Sequence, residues 1–427
     1  MALFILTLTF VVSIFVGMPI AFGVGLAALL ALFAQGESLV ILAHQMFFGV
    51  DSFTLGAIPM FVLAGEIMFH GQLTKALTDL SDVLVGRIRG GLGHTNILAS
   101  MFFAGITGSA TADTTAIGTL LIPAMKQKGY TPAYSTAVTI ASSVIGPIIP
   151  PSLTFVIYAL AVGRTSIGAL FVAGIVPGTL TAVALMALHY YISVKRQYEK
   201  RSEPYSWPQI SGIVRRCLVV AFMPIIVVIG VTTGIFTATE SAAVASAYAF
   251  IICFLVFRTL PMTIFPRIIF NTAKISSIIA LLLATSTVFS YVLTTENVPV
   301  RLGEFLQSIS TNKYVFLIIT NVALLFIGCV VDTFPAIVIF APIFVPIAKS
   351  YGVDPLHFGV VFCVNLLIGL NTPPVGTGLF IGSAIGNVKI EKLVREVLPF
   401  TSVQLMVLLL ITYIPWLTLF IPRLAGF

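Results

Sequence analysis

The stretch Ser143-Val-Ile-Gly-Pro-Ile-Ile-Pro-Pro-Ser152 places three prolines and a glycine in the middle of an apolar run of membrane length. No continuous helix can pass through it. Each proline removes a backbone donor and clashes with the preceding turn, which leaves peptide groups unpaired where hydrocarbon offers no water. Such backbone persists in a bilayer only when it is buried in protein or lines a polar cavity. The same construction recurs in Leu367-Ile-Gly-Leu-Asn-Thr-Pro-Pro-Val-Gly376. Two broken helices at corresponding places in two halves point to a midplane binding site.

The rest of the chain agrees with a bilayer setting. Of its 427 residues 58% are hydrophobic and 9% charged, and the mean hydropathy of +1.10 lies far from soluble domains. Apolar runs at 2–33 and 169–194 exceed the roughly 20 residues needed to cross a bilayer as a helix. They do not alternate as barrel strands would. The expected class is an all-α polytopic membrane protein. A formal charge of +7 would suggest nucleic acid in a soluble chain. Here the basic residues sit in short loops between spans, where they set orientation. The loop 195–216, with Lys195, Arg196, Lys200, Arg201, Arg215 and Arg216, is expected to be cytoplasmic.

In chain order, 2–33 is either one tilted helix or two short ones, divided at Gly17-Met18-Pro19. Residues 37–50 suit an interfacial arm. A polar tip interrupts 92–125 at Gly105-Ile-Thr-Gly-Ser-Ala-Thr-Ala-Asp-Thr-Thr115, as in a re-entrant hairpin. The broken helix covers 131–162. Sliding the chain by 223 residues superposes Gly105 on Gly328, Pro123 on Pro346, Gly146 on Gly369, Pro150 on Pro373 and Pro151 on Pro374. Punctuation repeated at one offset marks a duplication. The first repeat is therefore 1–194. The second is 217–427, with an arm at 261–274, a hairpin at 315–348 and a broken helix at 355–386. Hairpin-side loops of the first repeat carry Arg87, Arg89, Lys126 and Lys128 against Arg164 opposite. In the second repeat the larger count, Lys389, Lys392 and Arg395, lies opposite the hairpin, against Lys313 and Lys349. That switch fits inverted repeats.

At each break, unwound carbonyls can hold a cation and half-helix N-termini an anion. Neutral hard oxygens suit a monovalent ion. Ser109, Gly146, Pro150, Gly328, Thr333, Gly369 and Thr372 are the sodium candidates. Thr111, Asp113, Ser152, Asp332, Asn371 and Thr377 are the substrate candidates. Asp113 and Asp332 are the acidic residues at the tips, where an ionisable group is either functional or a helix cap. Glu66 falls within an apolar segment, and Glu240 after Thr237-Ala-Thr239 reads as an N-terminal cap. Four isolated cysteines imply neither disulfides nor metal. Histidines 44, 70, 94, 189 and 357 lack metal-ligand spacing, no phosphate loop is present, and no nucleophile and base pair is evident, so neither ATP hydrolysis nor another enzyme activity is expected. Met1 opens directly on an apolar segment without a basic n-region, so no cleaved signal peptide is expected.

Five motifs carry a resemblance: Ile58-Pro-Met-Phe-Val-Leu-Ala-Gly-Glu66, Gly105-Ile-Thr-Gly-Ser-Ala-Thr-Ala-Asp113, Ile145-Gly-Pro-Ile-Ile-Pro-Pro-Ser152, Gly234-Ile-Phe-Thr-Ala-Thr-Glu240 and Thr372-Pro-Pro-Val-Gly376. Over essentially its whole length the chain resembles the large membrane subunit of tripartite ATP-independent periplasmic transporters, the DctM-like family. The resemblance implies a sodium-driven importer of organic acids in a bacterial inner membrane. It implies two partners, a small four-helix membrane subunit and a periplasmic substrate-binding protein. It also implies an elevator, in which hairpins and broken helices slide against a scaffold. Sialic acid is the leading substrate and C4-dicarboxylates the next. A stand-alone carboxylate carrier or a channel without a binding protein is the alternative.

Overall fold

The computed structural model describes residues 1–71, 73–163, 165–200 and 205–427, with backbone alone over 104–107. Arg164 and Arg201, which enter the charge comparison above, lie outside the described residues, and Gly105 falls in the backbone-only stretch. All regular structure among the described residues is helical.

The chain opens with two short helices, α1 (Ala2–Phe15) and α2 (Ile20–Gln35), packed on each other. Gly17, at φ +76°, and Pro19, which precedes α2, end the choice between one long helix and two. At about 1.5 Å per residue neither reaches the full hydrocarbon thickness of about 30 Å. Residues 37–50 supply α3 (Leu39–Val50), capped by Ser38 and without a single buried residue. A 3₁₀ turn then leads into α4 (Ala57–His70). The amphipathic α5 (Leu73–Val85) buries Leu73, Ala76, Leu77 and Ser81 on one face, as a period near 3.6 requires.

The first hairpin is α6 (Gly91–Thr107) and α7 (Ala110–Gln127). Gly108 turns it at φ +58°, and a Cβ there would lie 2.7 Å from the backbone nitrogen of Leu153, so this tip rests directly on the first break. The broken helix follows as α8 (Pro132–Ser143), a 3₁₀ turn at Gly146–Ile148 and α9 (Leu153–Val162), bent by 49°. The 29-residue α10 (Ile167–Lys195) ends at the basic loop. Beyond the loop run α11 (Trp207–Thr232) and α12 (Ala238–Phe250). Thr237 and Glu240 form a reciprocal capping box at the start of α12, the role expected of Glu240.

A separate second arm at 261–274 is not what forms. After a 3₁₀ turn at Met262–Ile264 those residues enter α13 (Phe265–Thr295) without interruption. Pro266 sits in its first turn, where proline is tolerated, and nothing later breaks the ladder. Then come α14 (Val298–Ile309), the second hairpin α15 (Lys313–Val330) and α16 (Thr333–Ser350), and the second broken helix α17 (Pro355–Gly369) and α18 (Thr377–Gly386). The chain closes with α19 (Ile390–Tyr413) and α20 (Trp416–Leu424). Both Pro150-Pro151 and Pro373-Pro374 are cis.

The packing exchanges helices between halves: α7 lies against α18, and the mate of that pair, α16 against α9, is also present. The hairpins are rooted on opposite faces. Lys126, at the foot of α7, donates to Gly386 O (2.7 Å), and Arg196, at the end of α10, pairs with Glu396 (2.8 Å) near the start of α19. At the other face, Tyr351 at the foot of α16 donates to Ser310 O (3.0 Å), and Tyr413, ending α19, donates to Tyr314 O (3.3 Å). Among the described residues eight helices are long and apolar enough to cross a bilayer, or nine with the bent pair α8 and α9 as one span. The broken helices sit at the centre of the core. Tyr134, Phe155, Tyr158, Phe358 and Phe362 are fully buried, as is every residue of 134–148 and 357–370.

Candidate functional site

Hairpin tips and breaks converge at that centre. A cavity of about 20 Å³ is walled by Ser109, Ala110 and Thr111 of the first tip, Asp332, Thr333 and Phe334 of the second, Pro147 and Thr154 at the first break, and Leu367 and Leu370 at the second. That volume holds roughly one water or a bare cation, and no organic acid. A second cavity of about 400 Å³ shares Ser109, Thr111 and Phe334 and continues along Ala112, Thr115 and Leu153 to Val62, Gly65, Glu66 and Phe69 of α4 and Ile275 of α13. Its size suits a small ligand. Among the described residues no lysine or arginine lines either cavity. Their walls carry hydroxyls, the acidic Asp332 and Glu66, and helix starts: α7, α9 and α16 all begin here, each turning its N-terminal end inward.

Local sequence explains this convergence. Ser109, Ser152 and Asp332 each stand one residue before a helix and cap it, accepting from Ala112 N (3.5 Å), Phe155 N (3.2 Å) and Thr333 N (2.7 Å). Ser109 Oγ also lies 3.0 Å from Thr111 Oγ1. Thr333 Oγ1 is buried without a hydrogen-bond partner among the described residues, as is Thr377 Oγ1 at the start of α18.

The second break is built around a backbone contact. A Cβ on Gly369 would stand 2.6 Å from the carbonyl carbon of Gly328, and one on Gly328 2.8 Å from Leu366 O. Gly376 N donates to Cys329 O (2.9 Å), and Cys329 Sγ lies 3.0 Å from both Thr372 O and Pro373 O. Thr372 Oγ1 is turned back to Ile368 O (2.9 Å). At the first break Gly146 and Pro150 are buried. Of the sodium candidates, Ser109 and Thr333 thus line the central cavity, while Gly328, Gly369 and Thr372 gather beside it.

Among the substrate candidates, Thr111 and Asp332 line the cavities and three others face elsewhere. Ser152 donates to Pro147 O, which closes the break on itself. Asn371 donates to Ile140 O and so ties the second break to α8. Asp113 is fully buried behind the tip and lines neither cavity. Asp113 stands two residues from both Thr111 and Thr115, which line the larger cavity, so at about 100° per residue it points to the other side of α7. Cys329, Thr154 and Phe334 are site residues that the sequence did not single out. A lone cysteine in an apolar run reads as core filler. Glu66, with Asn271 Nδ2 at 3.2 Å and His70 at 3.6 Å, is the acidic residue of the larger cavity.

Opposed hairpins meeting two broken helices in an all-helical membrane protein define a secondary transporter by construction. The family model for the DctM component of the tripartite ATP-independent periplasmic transporters matches residues 7–417. The chain belongs to that family, whose large permeases are multi-pass proteins of the bacterial inner membrane. It is 38% identical to the sialic acid TRAP transporter large permease protein SiaM of Vibrio cholerae, over 96% of each chain. It is 40% identical to the isethionate TRAP transporter permease protein DctMQ of Oleidesulfovibrio alaskensis, over 96% of this chain and 65% of that one. The YdaH transporter of Alcanivorax borkumensis shares the fold, with a TM-score of 0.62 at 15% identity over 88% of this chain and 87% of the other.

Proposed function

We propose that this permease imports an organic acid across the inner membrane, driven by sodium, after delivery by a periplasmic binding protein and in complex with a separate small membrane subunit. The observation that carries the reading is the pair of adjoining cavities. One is sized for a bare ion and bounded by both tips and both breaks, and the other is sized for a small ligand and shares the tips. Converging helix N-termini favour an anion without a basic residue, and the hydroxyls of Ser109, Thr111, Thr154 and Thr333 together with Asp332 offer hard oxygens to a cation. The larger cavity lies between α4 and α13 on one wall and α7, α9 and α16 on the other, the division an elevator needs between scaffold and moving body.

Sialic acid stays the leading substrate and C4-dicarboxylates the next. The relative named for isethionate adds a small sulfonate to the range. A thermal-shift screen of the cognate binding protein against organic acids decides among them. For coupling, the test is uptake into proteoliposomes holding permease, small subunit and binding protein. Uptake should collapse when sodium is replaced by potassium at fixed pH. Undiminished uptake in potassium would remove sodium from the account, and undiminished uptake without the binding protein would favour a stand-alone carrier.

A further inference from the structure

Asp113 is the buried charge that the proposed import leaves without a task. Neither carboxyl oxygen has a hydrogen bond of ordinary geometry among the described residues, and its side chain is wholly enclosed. The group it lies against is the Ser100 hydroxyl of α6. From Ser100 a chain of buried bonds runs into α8. Ser100 Oγ is 3.0 Å from Ser142 Oγ, Ser142 Oγ donates to Asn96 Oδ1 (2.9 Å), Asn96 Nδ2 donates to Thr139 Oγ1 (2.7 Å), and Thr139 Oγ1 donates to Ser135 O (2.9 Å). With the Asn96 amide set so that Nδ2 meets Thr139, Ser142 Oγ donates to Asn96 Oδ1 or to Thr139 O (3.0 Å), and Ser100 then donates to Ser142. In that arrangement Ser100 Oγ is an acceptor toward Asp113.

We propose that Asp113 is a proton-binding site: its carboxyl is held as the neutral acid, donates to Ser100, and heads the chain that pins the first hairpin to the first broken helix. An ionised carboxylate would turn this order round, with Ser100 donating to it, Ser142 to Ser100 and the Asn96 amide to Ser142. Even then Ser100 would be the one donor and no cation would stand beside it among the described residues, a costly way to bury a charge. The second repeat points the same way. At the position 223 residues on stands Ala336, and the corresponding seam is closed by neutral groups, with Asn365 Nδ2 donating to Asn321 Oδ1 (2.9 Å) and Asn321 Nδ2 to Thr412 Oγ1 (3.0 Å). Asp113 is thus a positioning residue, outside the contacts to substrate or sodium.

Infrared difference spectroscopy of the purified full chain against Asp113→Asn at neutral pH reads the protonation state directly. The parent should show the C=O band of a carboxylic acid, shifted by deuteration, that the variant lacks, and sodium in place of potassium should leave it unchanged. Carboxylate bands instead, or an acid band that sodium abolishes, would overturn the proposal. The uptake arm rests on the sodium-coupled reading. Asp113→Asn, whose amide can donate to Ser100, should keep sodium-dependent uptake within about threefold of the parent, whereas Asp113→Leu should lose more than about tenfold. A folded Asp113→Asn permease without uptake would refute the neutral acid, and failure of sodium coupling in the parent would show only in this arm.

Discussion

The Tyr134 hydroxyl lies 2.8 Å from His189 Nδ1, joining the foot of the first broken helix to the end of α10. His189 Nε2 continues the tie to Gly90 O (2.9 Å) at the foot of the first hairpin. Advance both partners by 223 residues and the bond is still there: His357 Nε2 lies 3.1 Å from Thr412 O, while its Nδ1 meets Thr418 Oγ1 at 2.7 Å. The side chains differ, but the helices they lash are mates. Each broken helix is therefore anchored at its outer end and left open at the centre, where the cavities lie.

Removing one partner of such a buried pair leaves the other without its bond. Tyr134→Phe strands His189 Nδ1 and should lower stability by about 1–3 kcal/mol, and His357→Leu, which frees Thr418, should cost at least as much. Thermal unfolding in detergent measures both. Sodium-dependent uptake per folded molecule should hold up, because neither residue approaches the cavities.

Gly369 has the opposite profile. Valine there drives a side chain into the Gly328 backbone, 2.6 Å from its nearest atom. Gly369→Val should abolish sodium-dependent uptake while protein still inserts in the membrane, and Gly146→Val, at the repeat mate, should do likewise. Normal transport by either variant, assayed in proteoliposomes, would reduce the prolines to kinks.

The larger cavity gives a prediction about substrate. Thr115 lies exposed on α7 and lines it. Thr115→Phe should fill the space and cut uptake by at least about tenfold, with the sodium concentration for half-maximal rate little changed. Equal loss of sodium and substrate response would place the ligand elsewhere.

Much of this site was legible because proline and glycine punctuate the chain wherever a helix must stop. Both breaks, both tips and the Gly17-Met18-Pro19 corner announce themselves that way. What lay hidden depends on direction within a helix. The residues at 134–143 and 357–369 are buried on every side, so no apolar stripe tells which face meets the cavity. Asp113 and Asn371 read as ligands because they stand next to a tip and a break, although one faces α6 and the other bonds to α8. Gln404 Nε2 donating to Ala141 O (2.8 Å) and Asn371 reaching Ile140 O are links between repeats, and no local pattern encodes them. The arm at 261–274 misled for a different reason. Pro261 and Pro266 signal a start, and the continuity into α13 comes from the lack of any later stop.

Orientation in the membrane has its own check. With the native cysteines replaced, Lys200→Cys in the basic loop should resist impermeant thiol reagents in intact spheroplasts and label once the membrane is opened. Ready labelling from outside would invert the whole assignment.

The central claim is that both hairpins and both breaks move as one body past the α3 and α4 side of the molecule. Spin labels on Lys128 and Ser350, exposed at the feet of the two hairpins, and on Val40, exposed on α3, report it through pairwise distances in the assembled complex. Between sodium alone and sodium with substrate and loaded binding protein, the distance from 128 to 350 should stay fixed while those from either to 40 shift by several ångströms. A change in the 128 to 350 distance with both distances to 40 constant would contradict the moving body and make a gated pore the better account.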